Sequence, residues 1–339
     1  MRRYHLVFFA VEMGAMFRNQ DAMSRPVRIA VVSVALAVAV GACGGSSSRS
    51  TSTSESSRRS GATRSTTPTT KMTSAQAALI AARPFTLHVP PGLAATRPAP
   101  LLVMLHGFGA TGAIEEAYLR FTAAADAHNM LYAFADGTPN ARGSRFWNAT
   151  DACCDPNQTV DDSSYVSAII ADVKSKHAVD PKRVFLLGHS NGGFLSYRMA
   201  CDHSDEIAAI ASIAGATWSD TKRCTPSEAV SILEIHGTGD QTIKYDGGTT
   251  GIAAYPSAAT TIATWVKYDG CRSTPDTPPP PPVAIEEKLP PATVTAYSHG
   301  CRNGATVELW TQPDGVHIPP FLATFPESVV GFLLAHPKP

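Results

Sequence analysis

The stretch Val184 to Gly193, V-F-L-L-G-H-S-N-G-G, constrains this chain more than any other. Its apolar opening, bounded by glycine, is too short for a helix and reads as a buried strand of a parallel sheet. That strand runs into Gly188-His189-Ser190-Asn191-Gly192, a G-x-S-x-G pentad that turns a strand into a helix. A serine at the centre of so tight a turn occupies backbone space that most side chains avoid, and the flanking glycines let neighbouring segments approach closely. The amphipathic run Phe194 to Ala200 supplies the helix that must follow. The pattern predicts that Ser190 stands at a strand end beneath a helix N-terminus, as a candidate nucleophile.

A serine hydroxyl attacks poorly near neutral pH, so Ser190 needs an imidazole to take its proton and a carboxylate to orient that imidazole. In sheets built around such a turn the order along the chain is Ser, acid, His. Downstream, Ala229 to Ile235 is an apolar strand that runs into His236-Gly237-Thr238-Gly239-Asp240, which places Asp240 at the carboxyl edge of the sheet. Asp246, Asp269 and Asp276 lie farther from any strand end. Of the later histidines, His299 sits in a hairpin turn and His336 ends the last helix, whereas His317 directly follows a strand through Pro313-Asp314-Gly315-Val316. Asp240 and His317 are therefore the candidate acid and base, and Asp314 is left to shape the turn. An oxyanion needs two N-H donors. The Asn191 N-H, next after the nucleophile, is one candidate; the loop His106 to Gly112 after the apolar strand Leu101 to Leu105 resembles the H-G start of oxyanion loops and makes the Phe108 N-H the other.

Around these motifs strands and helices alternate. Pro84–Val89, Leu101–Leu105, Met130–Ala135, Val184–Leu187, Ile207–Ile213 and Ala229–Ile235 read as strands. Ile114–His128, Val160–His177 and Ala258–Tyr268 read as helices, with Asp161 and Asp162 capping the second. Thr293–Tyr297 and Ala305–Thr311 form a hairpin, and Pro326–Ala335 is a closing helix. The fold class is α/β, a mostly parallel sheet covered on both faces. Five prolines from Pro278 exclude helix and central strand, so Pro275–Pro282 is an extended surface insertion.

The N-terminal part reads differently. Arg25 and Arg28 precede an apolar run, Ile29–Val40, too short to span a bilayer and followed by Gly41-Ala42-Cys43. Residues 1–43 are read as a signal peptide with a lipobox, Cys43 as the lipidated residue, and Met23 as a natural initiator that leaves 1–22 untranslated. Residues 44–74 are Ser/Thr-rich with solvated arginines at 49, 58, 59 and 64, a tether that cannot bury a core. Residues 75–339 are then one catalytic domain. Six cysteines remain after Cys43. Chain order favours Cys201–Cys224 and Cys271–Cys301, whereas adjacent Cys153 and Cys154 could pair with each other only as a strained vicinal bridge, which leaves their state open. A formal net charge of +0 argues against nucleic acid as a partner, and the membrane is reached only through the lipid. No metal or organic cofactor is expected, and the protein is expected to be an exported monomer.

Taken together, L-H-G-F-G-A-T-G at Leu105, R-F-W-N-A at Arg145, D-D-S-S-Y-V at Asp161, D-P-K-R-V at Asp180, G-H-S-N-G-G, H-G-T-G-D and V-E-L-W…D-G-V-H resemble the exported polyhydroxybutyrate depolymerase and feruloyl esterase family. The resemblance covers nearly all of the chain from Phe85 onward. It implies an α/β-hydrolase fold, a Ser190, Asp240 and His317 triad, and hydrolysis of polymer- or saccharide-linked esters through an acyl-enzyme. It also places Trp147 near the cleft, either packed on a substrate or anchoring its own loop. The chain departs from the family in its proline insertion and in the His317-Ile318-Pro319-Pro320 run. An acyltransferase with the same triad and a non-catalytic surface binding protein are the alternatives.

Overall fold

The computed structural model describes residues 71–94, 96–155 and 159–339. The expected signal peptide, Cys43 and the expected tether as far as residue 70 lie outside the described residues. The described chain belongs to one compact unit, Ser65–Pro339. It opens with α1 (Ser74–Ala82), closed by a capping box between Thr73 and Gln76. The sequence pattern does not mark that helix, because its short alanine-rich run has no apolar period.

One sheet organises the rest. Its strands are β1 (Phe85–His88), β2 (Ala99–Leu105), β3 (Leu131–Ala135), β4 (Val179–His189), β5 (Ala209–Ile213), β6 (Ser231–Gly237), β7 (Thr293–Tyr297) and β8 (Val307–Gln312). They lie in the order β1-β3-β2-β4-β5-β6-β8-β7. The pairs from β3 through β8 are parallel, and only the two outer strands, β1 on β3 and β7 on β8, run antiparallel. The alternation along β2 shows why an unbroken apolar run suits a central strand: Leu101, Val103 and Leu105 join the core on one face, Leu102 and Met104 that on the other. Each such fully buried side chain contributes about 1.5–3 kcal/mol.

Six helices connect and cover the strands: α2 (Gly112–Leu119), α3 (Thr122–Ala127), α4 (Asp162–Lys176), α5 (Asn191–Asp202), α6 (Ala258–Tyr268) and α7 (Phe325–Ala335). The single helix expected over 114–128 is two. Arg120 adopts left-handed backbone at φ 58°, and the Glu116 carboxylate accepts from the Phe121 and Thr122 N-H groups, giving the second helix its cap. At α4, Asp161 caps through the Ser164 N-H (3.0 Å), while Asp162 is buried and instead accepts from Arg83 (2.6 Å) and from the Asn148 N-H (2.7 Å).

The structure joins Cys201 to Cys224, Cys271 to Cys301 and Cys153 to Cys154. The proline segment runs on the surface outside β7: the Asp276 N-H donates to Ala296 O, and Val283 pairs with Ala292. Among the described residues, no helix is long and apolar enough to cross a membrane.

Candidate active site

β4 ends at His189 and α5 begins at Asn191, so Ser190 is the whole of the turn between them. Its backbone stands at φ 53° and ψ −117°, the strained conformation the pentad predicts. Both flanking glycines are required by contact. A Cβ on Gly188 would lie 2.1 Å from Gly192 O, and one on Gly192 would lie 2.0 Å from Leu105 O of the neighbouring strand. Backbone cannot yield there as a flexible side chain could. Gly192→Ala is therefore expected to cost at least about 3 kcal/mol, read as a lower urea midpoint at unchanged slope.

The acid and base loops leave the sheet side by side, from β6 and β8. The Thr238 N-H donates to Gln312 O (2.9 Å), the Gly239 N-H to Gly315 O (3.0 Å), and the Asp314 N-H to Thr238 Oγ1 (2.9 Å). This lacing brings together residues that are 77 positions apart: Asp240 Oδ2 lies 2.6 Å from His317 Nδ1. His317 Nε2 lies 3.0 Å from Ser190 Oγ. Asp240 Oδ1 accepts the Thr242 and Ile243 N-H groups at 2.7 and 2.9 Å, which fixes the carboxylate plane. All three side chains are buried. Asp314, exposed at φ 57°, shapes the turn. His299 pairs with Asp276 on the surface (2.7 Å), and His336 with Phe332 O (2.8 Å), so neither meets Ser190.

The charges are set by these contacts. Burial works to raise the Asp240 pKa, but the hydrogen bond and charge of His317 outweigh it and hold the carboxyl below its ordinary range. His317 lies below its ordinary value of 6.5, chiefly through burial, with the His189 and His236 rings adding to the effect and Asp240 opposing it. A base must be neutral to accept a proton. Activity should therefore persist as pH falls through 6.5 and decline with unit slope only below it, which a profile of log kcat/KM against pH will show.

Asn191, the first residue of α5, has no intrahelical acceptor for its N-H. In the loop after β2 the Gly109 N-H donates to Arg145 O (2.8 Å) and the Ala110 N-H to Gly107 O (3.1 Å), while the Phe108 N-H has no acceptor among the described residues. Of the two readings of Trp147, its surroundings favour the loop anchor. Its side chain is fully buried, its indole N-H donates to His106 O (3.0 Å), and its ring stacks on Tyr165, so no face is left for a substrate. Its backbone is clamped to the elbow by Asn191, which accepts from the Trp147 N-H (2.6 Å) and donates to Trp147 O (2.9 Å).

Two acid–histidine pairs that no sequence spacing marks lie behind the triad. Glu115 Oε1 lies 3.0 Å from His189 Nδ1, and Glu234 Oε1 lies 3.0 Å from His236 Nδ1. Glu234 also accepts from the Tyr197 hydroxyl (2.8 Å). The acids sit at buried first-turn and strand positions, where the sequence pattern alone calls for a cap or an apolar residue.

Comparison with known proteins agrees with this geometry. The phospholipase/carboxylesterase family matches residues 93–269, more than half of the chain. The NocK protein of Nocardia uniformis subsp. tsuyamanensis is 33% identical over 180 residues, 52% of this chain and 50% of that protein. Feruloyl esterase B of Piromyces equi is 28% identical over 236 residues, 67% of this chain and 41% of that protein. The chain thus spans half or less of the length of these relatives. The solved acetyl xylan esterase from Aspergillus awamori superposes with a TM-score of 0.51 at 14% identity, covering 74% of this chain and 93% of that one. The fold is the α/β-hydrolase fold, and the chain belongs to the phospholipase/carboxylesterase family.

Proposed function

We propose that the protein is an exported serine carboxylic-ester hydrolase acting on polymer- or saccharide-linked esters. The observation that carries the reading is the continuous line from Asp240 through His317 to Ser190, at 2.6 and 3.0 Å. His317 Nδ1 faces a carboxylate, so it holds the ring's proton and leaves Nε2 as an acceptor. Ser190 Oγ attacks the ester carbonyl carbon as its proton passes to Nε2, and Asp240 stabilises the imidazolium. The Phe108 and Asn191 N-H groups receive the oxyanion, each worth about 3 kcal/mol. Collapse returns the proton to the departing alkoxide and leaves an acyl group on Ser190, which water removes by the same route.

The names of the relatives supply the substrate classes: feruloyl esters, and the hydroxyacid polymer named for the poly(3-hydroxyalkanoate) depolymerase of Paucimonas lemoignei, 29% identical over 131 residues. Arg25, Arg28, the apolar run after them and Cys43 support export and lipid anchoring. Initial rates on methyl ferulate, p-nitrophenyl acetate and hydroxybutyrate oligomers test the proposal, with Ser190→Ala as the blank. Wild-type rates equal to that blank on all three would reject it.

A further inference from the structure

Three buried histidines other than His317 surround the site, and their neighbours determine how many protons each carries. His106 Nε2 accepts the Gly137 N-H (2.9 Å), and its Nδ1 faces Gly107 O (2.7 Å). With one donor and one acceptor as neighbours, that ring is neutral. His189 differs. Its Nδ1 faces Glu115 Oε1 and its Nε2 faces the backbone oxygen of His317, each at 3.0 Å. Neither a carboxylate nor a carbonyl carries a proton, so both ring nitrogens must donate. Glu115 is held ionised by its place in the first turn of α2, and its second oxygen accepts the Gly107 N-H (3.0 Å). His189 is 4% exposed and Glu115 3%, so the pair exchanges no hydrogen bonds with bulk water.

We propose that Glu115 and His189 form a buried carboxylate–imidazolium pair that positions and tunes the His317 base. Its connections reach three parts of the site. Glu115 holds Gly107, next to Phe108; His189 adjoins Ser190; and His189 Nε2 holds the main chain of His317. The His189 ring also stands 5.3 Å from the His317 ring. Its positive charge there disfavours a proton resting on the base and makes the protonated base readier to release one to a leaving group. The groups that face the pair are Tyr118 from α2 (5.8 Å between rings), Asp240 and His317 from the two loops, and His106 beside Glu115. Burial keeps Tyr118 protonated and His106 neutral, so Asp240 is the charge that opposes His189. The shifts agree in direction: Glu115 lies below its ordinary pKa and His189 above its own, because their attraction outweighs burial.

The inference rests on the proposed function, and two measurements keep them apart. His189→Gln can retain an N-H donor toward His317 O without the charge, and Glu115→Gln/His189→Gln removes the pair without leaving a lone buried carboxylate. In both, the acid limb of kcat/KM should move up by about one pH unit, with the plateau kcat within about threefold of wild type. His189→Ala loses the donor as well. Its kcat should fall by about 10- to 100-fold at every pH with KM little changed, rates being counted per phosphonate-labelled site. Labelled sites that keep the wild-type kcat and pH profile in all three variants would reduce the pair to a purely structural role and overturn the proposal. Nitrogen-15 NMR of the imidazoles in inactive Ser190→Ala protein at pH 8 needs no turnover: protons on both nitrogens of ring 189 support the pair, and a bare nitrogen refutes it. A failure of the hydrolase reading shows itself separately, as wild-type rates in Ser190→Ala.

Discussion

Ser190→Ala is expected to lower kcat on an ester substrate by about 10⁶-fold, leaving KM and the melting temperature nearly unchanged. The size follows from what is removed. The Ser190 side chain reaches only His317 Nε2, while its backbone N-H donates to Ile213 O (2.7 Å) and its carbonyl accepts from Phe194. Alanine keeps both backbone bonds and the same φ of 53°, so the turn survives and the attacking oxygen alone is lost. The residual rate is that of oriented water beside the oxyanion donors, roughly 10³–10⁴ above the uncatalysed reaction. Single-turnover kinetics with p-nitrophenyl acetate check this directly. A variant that retained more than about 1% of the wild-type rate would place the nucleophile elsewhere.

Asp240→Asn is expected to cost about 10⁴-fold in kcat with the fold intact, because it inverts the proton on the base. Asp240 Oδ1 is claimed by two backbone donors, Thr242 and Ile243. An asparagine must turn its oxygen toward those N-H groups, which aims its amide N-H₂ at His317 Nδ1. The imidazole then accepts at Nδ1 and carries its proton at Nε2, where it can take nothing from Ser190. Asp314→Asn, by contrast, should change kcat less than about twofold, since that exposed side chain serves a turn. Equal losses at the two positions would undo the assignment of the acid.

What could be read before any coordinates was whatever repeats along the chain or sits at a fixed offset. Apolar runs located the central strands, since burial on both faces leaves no polar position in them. The G-x-S-x-G spacing located Ser190 because close approach excludes a Cβ at either end. Asp240 and His317 followed from their places just beyond strand ends. The misses are contacts that sequence distance conceals. The Glu116 cap that splits α2 from α3 answers to two N-H groups beyond the helix end rather than to any period. For Trp147 the sequence leaves substrate contact and loop anchoring open, and the contact that favours the anchor comes from Asn191, 44 positions on. The Glu115–His189 pair joins residues 74 positions apart, and no local pattern distinguishes a paired buried glutamate from a surface one.

The proline run beside β7 bears on how the protein behaves in company. A terminal strand normally offers a row of unspent N-H and C=O groups, and a second molecule can extend the sheet by zipping onto it. Here the border is lined by Pro278 to Pro282, tied at one end through Asp276 to Ala296 and at the other through Val283 to Ala292. Five consecutive residues without an amide hydrogen offer an incoming strand carbonyl acceptors but no donors, so the two-way ladder of a sheet cannot form along them. The insertion finishes that border as a selvedge finishes cloth, by withholding the donors that a neighbouring strand would need.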